Sequence, residues 1–193
     1  RMPYKIHMPK QETEYFLNKL KSCNEYLEYG SGGSTYFASS IPNLKAYSVE
    51  SDKDFKNKLE EDIRNNPERK NNPKLYHVDI GKTVSWGHPS KKTFESKKHL
   101  FKNYPLSVWN ENPDLNPDLI FIDGRFRVAC FLTILKKIKR KTTVMIDDYK
   151  SRIHYHVCSK ISKPIMIGRM AVFELTPNKN YEEELKSVEY DSR

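Results

Sequence analysis

At 193 residues the chain has the length of one domain, 1–193, large enough to bury a full core. It opens on no basic-then-apolar leader, and no apolar run approaches bilayer length, so the expectation is a cytoplasmic protein without membrane insertion. The formal charge of +9 is mostly lysine, and no RNA-binding aromatic signature or zinc spacing accompanies it. It therefore reads as a solvated surface and disfavours nucleic acid as main partner. Cys23, Cys130 and Cys158 sit in or beside apolar segments and read as buried free thiols in a reducing compartment. The start at Arg1, with no initiator methionine, suggests an excised piece.

Residues 1–10 carry Pro3 and Pro9 and read as irregular. From Gln11 to Ser22, Tyr15, Phe16, Leu17 and Leu20 fall near helical spacing and predict an amphipathic helix. Tyr26 to Tyr29 then predict a buried strand that breaks at Gly30-Ser31-Gly32-Gly33 and restarts as a helix from Ser34-Thr35 to about Ser40. Strand, glycine turn, helix is the nucleotide-cradling unit of doubly wound α/β folds. The glycines let the backbone approach a ligand, and the helix start offers free N–H donors. The dinucleotide fingerprint would need a third glycine where Thr35 stands.

Leu44 to Glu50 predicts a second strand, with Glu50 placed to take ribose hydroxyls. Phe55, Leu59 and Ile63 mark one apolar stripe on a helix over 52–64, followed by a turn-rich connection through Pro67 and Pro73. Strand three is predicted over Lys74–Gly81, with Asp79 near its end. Residues 82–117 are the least regular. They are expected to supply a helix around 92–103 and a lid over the ligand, with Trp86 stacking on it or anchoring the loop. Asp118–Gly124 is the most strand-like run, a buried helix follows over Val128–Ile138, and Thr142–Tyr149 predicts strand five. Lys150–Ser162 is expected to form a helix, followed by a β-hairpin of Ile165–Ile167 and Met170–Leu175, then a charged helix or frayed tail over 176–193.

Five strands thus end in acids, Glu28, Glu50, Asp79, Asp123 and Asp147, which an open α/β sheet would line up along its ligand-binding edge. Glu28-x-Gly30-x-Gly32, this alternation and the closing hairpin together resemble the class I S-adenosylmethionine (SAM) methyltransferases over roughly residues 12–175. The implied fold is a Rossmann-like, mostly parallel seven-stranded sheet with a C-terminal antiparallel hairpin and helices on both faces. The resemblance implies SAM as cofactor. Glu28, Gly30, Ser31, Gly32 and Gly33 would cradle its methionine part and ribose edge, and Ser34 and Thr35 would open the helix. Glu50 and Ser51 would take the ribose, Asp79 and Ile80 the adenine, and Asp123 would serve both cofactor binding and catalysis.

Phe121-Ile122-Asp123-Gly124 with Ile146-Asp147-Asp148-Tyr149 is similar to metal-dependent sugar and small-molecule O-methyltransferases, and more loosely to glycan-linked bacterial and viral methyltransferase-like proteins. That likeness implies a sugar or other small-molecule acceptor. It also implies Mg2+ or another divalent cation on Asp123, Asp147 and Asp148. Those relatives place a second acid two residues after the strand-four Asp, where this chain has Arg125. The base then falls to Asp148, His154 or His156, or the metal suffices, or the site is not metal-dependent. Arg125 and Arg127 would suit an acidic or phosphorylated acceptor. Two other classes stay open: an NAD-type oxidoreductase on the same glycine loop, and a non-catalytic or nucleic-acid-binding domain on this fold.

Overall fold

Alternation of large apolar side chains assigns the two faces of a single sheet. In β4 (Leu119–Ile122), Leu119 and Phe121 join a cluster with Phe16, Leu20 and Ala38, while Ile120 and Ile122 join the opposite cluster with Phe131, Ile134 and Leu135. A one-residue slip would swap every pair, and each side chain is worth about 1.5–3 kcal/mol buried, so the register is firmly held. The computed structural model describes residues 4–84 and 88–193. Trp86, expected to stack on the ligand or to anchor its loop, lies outside them.

The remaining strands are β1 (Glu25–Tyr29), β2 (Lys45–Glu50), β3 (Lys74–His77), β5 (Thr142–Ile146), β6 (Ile165–Ile167) and β7 (Met170–Leu175). They lie in the order β3-β2-β1-β4-β5-β7-β6; the first five run parallel, and β7 pairs antiparallel with both β5 and β6. This is the expected Rossmann-like sheet with its terminal hairpin. Helices α1 (Lys10–Lys21) and α2 (Gly33–Ala38) cover one face. The other face carries α5 (Asn103–Glu111), α6 (Arg127–Lys137), α7 (Val157–Ile161) and α8 (Glu182–Val188). Helix α3 (Lys53–Arg64) packs Leu59 and Ile63 against Tyr36 and Leu75, and α4 (Lys91–Lys97) follows β3. Strand order reverses between the parallel strands β1 and β4, the switch point where open sheets open a crevice.

Three differences from the sequence reading shape that crevice. β3 stops at His77, two residues before Asp79. Helix α5 was not expected; Pro105 looks like a breaker, but it sits in the first turn, where a helix needs no amide hydrogen. Lys150–Ser162 is not one helix but a 3-10 turn at Ile153–Tyr155 followed by α7. The tail holds a helix, one of the two forms expected for it. Leu185 and Val188 of α8 pack on the core beside α6, and beyond α8 the Ser192 and Arg193 backbone oxygens accept from Phe126 N (3.1 Å) and Arg127 N (3.0 Å). They satisfy amides at the start of α6 that no helical carbonyl reaches.

Candidate active site

The carboxyl ends of β1 and β4 touch. Gly30 adopts φ +97°, and a Cβ there would stand 2.8 Å from the Asp123 carbonyl and the Gly124 Cα. Gly124 is crowded in turn by Gly30 and the Tyr104 hydroxyl. Only glycine allows two strand ends to meet this closely, and the contact forms the floor of a cavity of about 710 Å³. That volume lies within the range of roughly 300–1,000 Å³ usual for small-molecule sites.

On the β1–β2 side the wall is Gly30, Ser31, Glu50, Ser51, Asp52 and Phe55. The Glu50 carboxylate accepts from Ser31 N (3.2 Å) and Asp52 N (2.8 Å), and its burial raises its pKa. A carboxylate offers about four acceptor positions, so two backbone amides leave capacity for a pair of hydroxyls. The polar groups here fit a ribose diol. Glu28 has a different task. It is fully buried and off the cavity, accepting from Tyr26 Oη (2.6 Å), Ser48 Oγ (2.6 Å) and Thr35 Oγ1. Thr35 Oγ1 accepts in turn from Gly32 N (2.9 Å), so the buried acid clamps the glycine loop from behind. Gly32, Gly33, Ser34 and Thr35 therefore shape the loop without lining the cavity, and Gly33 lies against the Lys5 carbonyl of the N-terminal segment.

Asp79 and Ile80 are not brought to the cavity wall. Asp79, just past the strand, turns its carboxylate back to Gly81 N (2.7 Å), the usual short-range bond of an aspartate in a turn. Ile80 is fully buried in the core. His154 also misses the wall; its ring lies edge-on to Tyr155 at 4.2 Å between centroids, and Nε2 has no hydrogen-bond partner among the described residues.

The β4–β5 side holds acids and arginines in pairs. Asp147, nearly fully buried, receives Arg169 Nε (3.1 Å) and Nη2 (3.0 Å). Asp148, in the left-handed region at φ +54°, pairs with Arg152 (2.8 Å). Asp123 pairs with Arg127 at 3.4 Å. The buried Arg127 fork also donates to Gly124 O (3.1 Å) and Asp147 O (2.7 Å), and it lies 5.5 Å from the Tyr155 ring centroid. One guanidinium thus fastens the ends of β4 and β5 together. Burial on the cavity floor pushes the Asp123 carboxyl up to about 7, with Asp147 and Glu28 adding to the rise and Arg127 opposing it.

The expected metal set is not assembled. Each of Asp123, Asp147 and Asp148 faces an arginine, and no group of three metal-ligating side chains converges among the described residues. A divalent ion needs several oxygens directed at one point, and these donors as folded do not fit one. The sequence reading placed the acceptor site on residues 82–117 and 149–156, which supply His88, Tyr104 and Tyr155, but missed Arg169 and Arg193 as wall residues. Arg169 is the most telling, because Gly168-Arg169 signals only a hairpin turn. That turn is seated by Glu12 of α1, whose carboxylate fills the space beside Gly168.

No protein-family model matches the sequence, and no curated protein matches it. Among solved structures, a methyltransferase-like protein (spo2022) from Silicibacter pomeroyi DSS-3 is similar at 32% identity and a TM-score of 0.90, over 99% of this chain and 100% of that one. CalS11, a calicheamicin methyltransferase, is similar in fold alone, at 10% identity and a TM-score of 0.54 over 84% of this chain and 76% of that one. Sheet order, terminal hairpin and a full-length relative agree: the chain belongs to the methyltransferase-like proteins of the Rossmann-like methyltransferase fold.

Proposed function

We propose that this chain is a SAM-dependent methyltransferase acting on a hydroxyl of a small polar acceptor, such as a sugar. The observation that carries the reading is the position of Asp123. It stands on the cavity floor between the Glu50 side, suited to a nucleoside, and the arginine-lined side, with a carboxyl pushed up to about 7. Bound SAM would supply an electrophilic methyl group on a sulfonium. The chain's own part would be alignment and proton removal: Asp123 would take the acceptor hydroxyl proton while the methyl group exchanges its bond to sulfur, which leaves as a neutral thioether, for one to the acceptor oxygen, and Arg127 would hold that carboxylate in place. A carboxyl poised near neutral pH suits a base that must be ionised before the reaction and protonated after it. No step is assigned to a metal, because every carboxylate of the expected set already has an arginine. An NAD-type oxidoreductase is disfavoured by the antiparallel β7 beside β5 and by Thr35, which the loop uses as a clamp.

The test is transfer of labelled methyl from SAM to a panel of sugars and other hydroxyl compounds, with and without EDTA. The expected result is transfer that survives EDTA and falls by about 10²–10⁴-fold in Asp123→Asn. An undiminished rate in Asp123→Asn would remove Asp123 from the chemistry, and transfer abolished by EDTA would restore a metal to it.

A further inference from the structure

Four arginines on the cavity wall have carboxylate partners: Arg127 with Asp123, Arg152 with Asp148, Arg169 with Asp147 and Arg193 with Asp191. Arg125 differs. Among the described residues no carboxylate lies within ion-pair distance of it, and its guanidinium instead meets the His88 ring. Burial and the nearby Arg127 lower its pKa, signs of a desolvated cation in a positive field. His88 is pushed towards its neutral form by burial and then by Arg125 and Arg127, so it offers no second charge and no counter-charge.

The backbone at this position is fixed. Arg125 N donates to Tyr104 Oη (3.2 Å), Phe126 takes the left-handed conformation (φ +53°), and the Ser192 and Arg193 carbonyls bind the next two amides. Ser192 Oγ lies 3.1 Å from His88 Nδ1, which holds the imidazole against Arg125. A rigidly mounted cation, half-buried in a cavity and lacking an anion, is the arrangement a ligand oxyanion completes; a guanidinium fork matches carboxylate and phosphate oxygens in pairs.

We propose that the β4–β5 side of the cavity binds an oxyanion of the acceptor, a phosphate ester or a carboxylate, on Arg125 with His88 as a hydrogen-bonding neighbour. This deepens the methyltransferase reading, on which its naming of an acceptor rests. The acceptor would then be an acidic small molecule whose hydroxyl reaches Asp123 while its anionic group is held by Arg125. The site lies inside the cavity rather than on the lysine-rich outer surface, which favours a small ligand.

The test is calorimetric titration of inorganic phosphate and of acetate into the full chain in low-chloride buffer, with and without S-adenosylhomocysteine. Arg125→Ala and Arg125→Lys are run beside the wild type, with thermal unfolding to show that each is folded. At least one anion is expected to bind the wild type, about tenfold or more weakly in Arg125→Ala, with Arg125→Lys intermediate because it keeps charge but loses the fork. Preference for phosphate would assign a phosphate ester, and preference for acetate a carboxylate. Failure of both anions to bind, or equal binding by Arg125→Ala and wild type, would overturn the proposal. Anion binding through Arg125 without S-adenosylhomocysteine binding would sink the methyltransferase reading and leave the anion site standing.

Discussion

Asp123 and Gly30 show how much one position can decide. Because burial raises the Asp123 pKa to about 7, its ionised form appears only as pH passes neutrality. The methyl-transfer rate should therefore rise with pH to a plateau with a midpoint near 7, and Asp123→Asn should flatten that profile. Stability moves the other way. A carboxyl whose folded pKa is raised contributes fully below its unfolded value of about 4 and loses that contribution as pH rises through about 7. Thermal unfolding of wild type and Asp123→Asn from pH 4 to 8 should show the wild type losing ground steadily; a constant gap would contradict the environment assigned to Asp123. Gly30→Ala is a steric test. Its Cβ would press on the backbone of Asp123 and Gly124 at a positive φ, so unfolding in denaturant should show a loss of about 1–3 kcal/mol.

At the scale of elements, the site is a set of strand ends held in register by buried polar side chains. Arg127 joins the ends of β4 and β5 through Gly124 O, Asp147 O and Asp123. Arg127→Lys keeps the charge but not the fork, so carbonyls lose donors in a buried place. We expect a loss of about 1–3 kcal/mol in chemical denaturation, together with a weakened active site. An unchanged unfolding midpoint would show that the strand ends do not depend on this residue. Much at this scale was legible beforehand. Apolar runs ending in Glu28, Glu50, Asp123 and Asp147 gave the parallel strands, because burial on both faces leaves a sequence signature that needs no partner to be seen. Helix α5 was hidden, since Pro105 reads the same in a first turn as in a break. The clamp roles of Glu28 and Arg127 were hidden too. Sequence places an acid at a strand end, but which way its carboxylate turns depends on Tyr26, Thr35 and Ser48 meeting it in space.

Over the whole molecule, distant segments converge on one edge of the sheet. The N-terminal segment is anchored on α3 by Tyr4, bonded to Asp62 at 2.6 Å, and reaches that edge at His7, whose carbonyl accepts from Arg169 at 3.0 Å. The hairpin delivers Arg169, and the last residues deliver Arg193. A wall drawn in part from both ends of the chain explains why a motif reading centred on the glycine loop missed His7, Arg169 and Arg193. The central claim is that the Gly30, Ser31 and Glu50 side of this cavity binds the nucleoside of SAM. Its most direct measurement is calorimetric titration of SAM and, separately, NAD into wild type and Glu50→Gln. The account predicts one SAM per chain, unaffected by EDTA, with affinity about tenfold or more lower in Glu50→Gln as a charged hydrogen-bond acceptor is lost. Binding of NAD but not SAM, or SAM affinity indifferent to Glu50, would contradict it.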